Sequence, residues 1–265
     1  LSRVYLYMGE WQLALDECQK ALNLGNVELM DLNSFPGREE NRYILDVENP
    51  EIIFTQGYSA TNVFYKNISY FTICSFSCSE ELISLYNSFD DQVIKDLRLN
   101  AFFEDNGDEQ YRVSKVGEKV YDCFAIRSVE LYLNKAEAEA MLDKAEAIQT
   151  IKTLLNNRFE GGIPDIDGLS GKDLVSFIRD ERRRELCFEA HRWFDLRRYA
   201  VSPKYPEKKS IRHTAYDIKG KLEGDYVLKP YGEDPAWVLP IPGYEIVYNQ
   251  GNLVDNPQRV ERELE

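Results

Sequence analysis

Few residues in this sequence have the types and spacing that metal chemistry needs. Zinc sites use three or four clustered cysteine and histidine ligands. Cys74 and Cys78 supply two of these, while the two histidines, His191 and His213, are far from both along the chain. We therefore expect no zinc site.

Calcium, phosphate and nucleophilic chemistry have equally little support. Asp165 and Asp167 precede a glycine as in a calcium loop, but Leu169 occupies the next ligand position and no glutamate completes the pattern. There is no phosphate-binding loop and no Gly-x-Ser-x-Gly motif. The sequence predicts no catalytic residue and no cofactor. A pair of glycosidase carboxylates stays open, because 46 acidic residues always allow some pair.

The charged residues of one long helical segment are the clearest polar pattern. The range 179–198 carries seven arginines against five acids, and on a helical wheel several of them fall inside apolar stripes. A buried ion without a partner costs several kcal/mol, so these charges must pair with one another. We predict a structural ion-pair network that includes Arg179, Glu181, Arg183 and Glu185.

Composition and charge exclude several classes of protein. The chain has 265 residues, 43% of them hydrophobic, and a net charge of −14. The acidic balance argues against nucleic-acid binding, which needs surplus lysine and arginine. No apolar run is long enough to span a bilayer. The five cysteines are scattered and odd in number, which favours reduced thiols over a disulfide framework.

Hydrophobic periodicity divides the chain into five segments. Because the chain opens at Leu1, inside an apolar periodic run, we expect it to be the C-terminal portion of a longer protein. We predict one domain over 1–265, mainly α-helical, with long irregular loops and a few short strands. Its segments are tetratricopeptide-like helix pairs over 1–24 and 125–158, a loop-rich aromatic insertion over 25–124, one long helix over 170–199, and a strand and loop tail over 200–265.

Motifs in three segments resemble one known family. The range 181–198, Glu-Arg-Arg-Arg-Glu-Leu-Cys-Phe-Glu-Ala-His-Arg-Trp-Phe-Asp-Leu-Arg-Arg, is similar to the signature helix of the SusD/RagB outer-membrane nutrient-binding lipoproteins. The range 131–138 resembles that family's second conserved helix, and Leu239-Pro240-Ile241-Pro242 resembles its C-terminal motif. The tetratricopeptide-like opening is consistent with the same family.

The resemblance implies a fold and a function. The expected fold is a SusD-like α-superhelix, and the expected function is non-catalytic binding of oligosaccharide or polysaccharide at the cell surface. The expected partners are a glycan and a TonB-dependent, SusC-like outer-membrane transporter, with no nucleic acid. Members are lipoproteins of the cell outer membrane, so membrane contact would come only through a lipid anchor that this fragment lacks.

The ligand contacts do not follow from the family motifs, which are scaffold, but composition suggests candidates. Aromatic rings stack on the apolar faces of sugars, while amide groups bond to hydroxyls. One stretch combines both types: Tyr58, Asn62, Phe64, Tyr65, Asn67, Tyr70 and Phe71. Core packing under a long loop is the alternative explanation for these aromatic residues. The alternative functions are a tetratricopeptide-like scaffold that binds a protein or peptide, and a glycoside hydrolase.

Overall fold

The computed structural model confirms a mainly α-helical fold. It describes residues 1–40, 42–55, 78–89, 93–105, 107, 111–116, 125–217, 219–257, 259 and 262–265. The α-helices of this described part are α1 (Ser2–Met8), α2 (Trp11–Leu22), α3 (Glu80–Asn87), α4 (Arg98–Phe102), α5 (Ser128–Met141), α6 (Glu146–Leu155), α7 (Gly171–Glu185), α8 (Arg192–Ala200) and α9 (Gly243–Tyr248).

Small side chains let the first two helices pack closely on a third. Gly9 ends α1 in the left-handed conformation, with φ of 77°, which reverses the chain into α2. Both helices pack against α5, which also contacts α6 and α7. Ala14 of α2 and Ala138 of α5 are fully buried beside Leu6 and Leu15. The central helix α5 thus joins the two predicted helix pairs.

The strands of the described part are short and form two-stranded antiparallel sheets. β1 pairs with β5, β2 with β6, β3 with β4, and β7 with β8. An irregularity in register between Ile52 and Phe54 interrupts the first ladder. The strands are β1 (Ile52–Thr55), β2 (Lys95–Asp96), β3 (Phe103–Asp105), β4 (Tyr111–Val113), β5 (Ala125–Arg127), β6 (Phe159–Glu160), β7 (Ile211–Tyr216) and β8 (Leu222–Leu228).

The single long helix predicted over 170–199 is wrong, because a turn divides it. Helix α7 ends at Glu185, and α8 begins only at Arg192. The carbonyl of Glu185 accepts a hydrogen bond from Lys115 Nζ at 2.8 Å, and that of Arg184 accepts one from the Tyr86 hydroxyl at 2.7 Å. These distant side chains satisfy the last carbonyls of α7, so the helix can end there.

The chain has two compact units where the sequence predicted a single domain. The first is Leu1–Trp193 and the second is Phe194–Glu265. The second unit is held together by local contacts, because its C-terminal segment pairs with its own hairpin. Asp225 and Glu265 exchange two backbone hydrogen bonds, and Arg262 binds Asp234 at 2.6 Å.

The Pro-Ile-Pro motif is fixed inside the second unit by polar side chains of the tail. The backbone N–H of Ile241 donates to Asp255 at 2.8 Å, and the Asn256 side chain donates to the carbonyl of Leu239 at 2.7 Å. Proline offers no backbone N–H, so this extended segment relies on such side-chain contacts instead of a strand ladder. The acidic and amide residues that follow the motif therefore serve to hold it.

A substitution at Gly161 is expected to destabilise the first unit strongly. Gly161 follows β6 with φ of 77°, and a Cβ there would lie 1.8 Å from the carbonyl oxygen of Val93. Gly161→Ala should lower the free energy of unfolding by about 3 kcal/mol, from backbone strain plus overlap. Gly168→Ala is the control, since its Cβ would meet nothing within 4 Å. Urea denaturation compares the two, and equal stabilities would contradict the prediction.

Candidate functional site

The residues predicted to bind a ligand lie outside the described residues. Tyr58, Asn62, Phe64, Tyr65, Asn67, Tyr70 and Phe71 all fall in the range 56–77, of which the structure describes nothing. The residues on either side of that range are held by hydrogen bonds. Thr55 pairs with Ala125 in the β1–β5 ladder, and the Cys78 N–H donates to the carbonyl of Tyr111 at 2.8 Å.

A buried network of charged side chains includes Glu51, which lies just before the strand that precedes this range. Its members come from β2, β5, α4 and α7 and from the segments between elements. Among the residues that the structure describes, five cations and five carboxylates take part, and their charges balance. They are Arg98, Lys115, Arg127, Arg158 and Arg184 with Glu51, Asp96, Glu181, Glu185 and Glu189.

The carboxylate of Glu185 is the centre of the network. It is fully buried and lies 2.8 Å from Arg158 Nε, 3.1 Å from Arg127 Nη1 and 3.6 Å from Arg98 Nη1. One turn earlier, Glu181 accepts from Arg98 at 2.7 Å and from Arg184 at 2.8 Å. Helix α7 therefore carries two carboxylates into the core, each bound by at least two arginines.

A second part of the network anchors the β1–β5 ladder. Glu51, just before β1, binds Arg127 Nη1 and Arg158 Nη2, each at 2.6 Å. Arg127, the last residue of β5, also forms a bidentate pair with Glu189 at 2.7 and 3.0 Å. A bidentate guanidinium–carboxylate pair restricts both side chains to one geometry. The beginning of β1, the strand that precedes the range 56–77, is thus tied to the core.

The four charged residues predicted to form a network do not all meet. Glu181 and Glu185 lie in the buried network described above. Arg183 instead binds the half-exposed Glu81 at 2.8 Å, at the edge of α3. Arg179 Nε lies 3.9 Å from Glu137 of α5. The two glutamates therefore belong to the buried network, whereas Arg183 pairs with a residue of α3 and Arg179 lies near a residue of α5.

Sequence reasoning missed most of the arginines that bind these carboxylates. Arg98, Arg127 and Arg158 lie outside the arginine-rich segment, in α4, at the end of β5 and in the turn before β6. The available signal was weak: Arg127 follows the apolar pair Ala125-Ile126, and Arg158 precedes Phe159. A charge next to apolar residues in a short strand indicates burial, and burial requires a partner.

These ion pairs determine how the stability of the fold changes at acidic pH. Burial alone would raise the pKa of Glu189, but the charges and hydrogen bonds of Arg127 and Lys115 outweigh burial and lower that pKa to about 2. The pKa of Glu185 is also well below its usual range, because Arg158 and Arg127 outweigh burial there too. Carboxylates with lowered pKa values stabilise the fold above their ordinary pKa and lose this effect as they become protonated.

We therefore expect the free energy of unfolding to fall as the pH decreases from about 4.5 towards 2. Urea denaturation at a series of pH values measures the change. The Glu189→Gln variant should be less stable at pH 7 and should lose less stability across that window than the wild type. Parallel pH profiles for the two proteins would contradict this assignment of Glu189.

Among the described residues there is no cluster of three or more metal-ligating side chains. His191 is buried, with Nδ1 3.3 Å from Arg182 Nη2, and Cys187 lies 3.4 Å from the Tyr86 hydroxyl. Burial, the largest cause, raises the pKa of the Cys187 thiol.

In the described part of the chain, no helix combines the length and apolar character needed to cross a bilayer.

Comparisons with known proteins identify the family. A sequence model of the SusD family matches residues 98–258, which include α4 to α9 and most of the charged network. The chain therefore belongs to the SusD family. It is 26% identical over 147 residues to the SusD-like protein P2 of Formosa agariphila, covering 50% of this chain and 25% of that protein.

Solved structures show the same fold. A SusD superfamily protein from Bacteroides thetaiotaomicron is 23% identical with a TM-score of 0.67, covering 97% of this chain and 59% of that one. A SusD-like carbohydrate binding protein from Bacteroides vulgatus is 21% identical with a TM-score of 0.62, covering 95% and 57%. The surface glycan-binding protein A from Bacteroides uniformis is 18% identical with a TM-score of 0.59, covering 96% and 59%. The chain thus spans less than two thirds of each of these relatives.

Proposed function

We propose that this chain takes part in the non-catalytic capture of oligosaccharide or polysaccharide at the outer surface of a bacterial cell. The observation that carries the proposal is membership of the SusD family, shown by the match over residues 98–258. Two similar structures are described as carbohydrate-binding or glycan-binding proteins, which supports a glycan as the ligand class.

The described geometry is consistent with a scaffold that presents a binding segment. The charged network is buried, and each of its ten groups has an opposite charge within 4 Å. Groups saturated in this way can orient the backbone but have little capacity left for a ligand. We therefore assign the network to positioning, and we assign ligand contact to the aromatic and amide residues of the range 58–71.

Delivery of the captured glycan to a TonB-dependent, SusC-like transporter completes the proposal. The cell outer membrane is the proposed location, with membrane contact through a lipid anchor. A surface protein of this kind needs no catalytic group, because capture and release depend on binding alone.

Affinity electrophoresis tests the binding proposal. The protein is run in native gels that contain amylopectin, laminarin, arabinoxylan or mucin, with serum albumin as a non-binding reference. Retardation in at least one gel, increasing with polysaccharide concentration, is the expected result. No retardation in any gel would contradict glycan capture. Release of reducing sugar, lost on substitution of one acidic residue, would instead identify a glycoside hydrolase.

A further inference from the structure

The hairpin of β7 and β8 has one closed edge and one open edge. Among the described residues, β7 (Ile211–Tyr216) pairs with β8 alone. The other edge of β8 holds the C-terminal segment, because Asp225 and Glu265 exchange two backbone hydrogen bonds there. The open edge of the hairpin therefore belongs to β7.

The register shows which backbone groups face this open edge. In an antiparallel strand the N–H and C=O of one residue point to the same side, and successive residues alternate. Asp225 uses both groups to bind Glu265, so it faces away from β7, and its register partner Thr214 faces away from β8. Arg212, two residues earlier, has the same orientation. Two residues of β7 thus direct their backbone N–H and C=O groups to the open edge.

The side chains of β7 leave the edge accessible. Arg212, His213 and Thr214 are exposed, and Tyr216 is 60% exposed. The side chains of Arg212 and Thr214 both bind the carboxylate of Asp225 across the strands, each at 2.7 Å. They lie over β8 and not over the open edge, so an extended segment can reach the backbone of β7.

The segment that contains β7 is basic, although the chain is acidic. The range 204–221 has six lysines and arginines against two acids, whereas the net charge of the whole chain is −14. Two of the six cations are paired inside the second unit, Lys208 with Glu233 at 3.0 Å and Arg212 with Asp225 at 2.7 Å. These pairs are largely exposed, so they are weak and leave the segment positive.

The positive charge determines which strand fits the edge. Lys219 and Lys221, in the turn that follows β7, are exposed. Lysine and arginine beside an open edge oppose its pairing with the same strand of a second copy, since like charges would then meet. The same charges attract an acidic segment.

We propose that the open edge of β7 binds an extended acidic peptide segment of a partner protein, which adds to the hairpin as a further strand. Backbone hydrogen bonds to Arg212 and Thr214 supply affinity, and the basic residues of the range 204–221 select acidic side chains. The proposal does not depend on glycan capture, because it uses only groups of the second unit.

Fluorescence anisotropy with a labelled probe peptide, Val-Glu-Thr-Glu-Val-Glu-Thr, tests the proposal. The protein should bind this peptide, with an affinity that falls as the salt concentration rises. The same peptide with lysine in place of each glutamate is the charge control and should not bind. Lys219→Glu with Lys221→Glu should raise the Kd for the acidic peptide about fivefold at low salt.

A proline substitution tests the backbone contact. Thr214→Pro removes an N–H that points to the open edge and should raise the Kd about tenfold. Proline is tolerated at edge positions of this kind, so the variant should fold. Thr214→Val is the matched control, because it removes the hydroxyl and keeps the N–H; its Kd should stay within about twofold of wild type.

Hydrogen–deuterium exchange of the wild-type protein is a second measurement that needs no variant, and it decides the question if Thr214→Pro fails to fold. The bound peptide should slow exchange at Arg212 and Thr214 and leave His213 unchanged, since His213 faces β8. Unchanged exchange at Arg212 and Thr214, no binding of the acidic peptide, or equal Kd values for Thr214→Pro and Thr214→Val would overturn the proposal. Polygalacturonate that binds wild type and Thr214→Pro equally would assign the basic segment to an acidic glycan and also overturn it.

Discussion

Glu185→Gln is expected to lower the free energy of unfolding by about 3–5 kcal/mol, the usual cost of breaking a buried ion pair by removing one charge. Glutamine has nearly the same shape, so packing is preserved and the effect is electrostatic. The substitution leaves Arg158 and Arg127 with one carboxylate fewer, and the network of five cations and five carboxylates acquires a net positive charge.

Urea denaturation followed by circular dichroism measures the loss, and Glu146→Gln is the matched control. Glu146 lies in the first turn of α6 and is exposed, so its substitution should change stability by no more than about 0.5 kcal/mol. A loss below about 1 kcal/mol for Glu185→Gln would show that the surrounding carboxylates compensate, and Glu185 would not be the centre of the network.

The double substitution Tyr65→Ala with Tyr70→Ala is expected to abolish glycan binding while it leaves folding nearly intact. The expectation comes from composition, because the range 58–71 concentrates aromatic and amide side chains of the kind that bind sugars. Exposed clustered aromatic residues mark binding sites more often than scattered ones do. Affinity electrophoresis reads out binding, and the melting temperature, expected within about 2 °C of wild type, reads out folding.

A matched control comes from the second unit of the chain. Tyr244 and Tyr248 of α9 are 63% and 81% exposed, so their double substitution removes the same chemical groups from a surface outside the candidate range. That variant should bind like wild type. A melting temperature lowered by more than about 8 °C in Tyr65→Ala with Tyr70→Ala would instead place these rings in the core.

Local patterns predicted the two helix pairs of the first unit because their signals lie within a few residues. Apolar periodicity and Gly9 predict α1 and α2. In the structure, Gly9 adopts the left-handed conformation that ends α1, and Ala14 of α2 is buried. The same reasoning failed between Glu185 and Arg192. A helical period continues through that range on a wheel, but the hydrogen bonds that end α7 come from Tyr86 and Lys115, about 70–100 residues earlier in the chain.

The charged network shows the same division between local and distant information. Glu181 and Glu185 were recognisable as buried, since both share a helix face with Leu174 and Ile178. Their partners were not, because Arg98, Arg127 and Arg158 come from three separate segments of the chain: α4, the end of β5 and the turn before β6. The sequence indicates that a buried carboxylate needs a cationic partner, but it does not indicate which of the 32 lysines and arginines is that partner.

The sequence by itself determined the family, the helical class and the presence of paired charges in the core. These depend on motifs, periodicity and the cost of burying an ion, all of which act over short stretches of chain. Only the tertiary structure decided which arginine meets which carboxylate and where α7 ends. Those features depend on contacts between residues 58–107 positions apart, and such contacts exist only after the chain has folded.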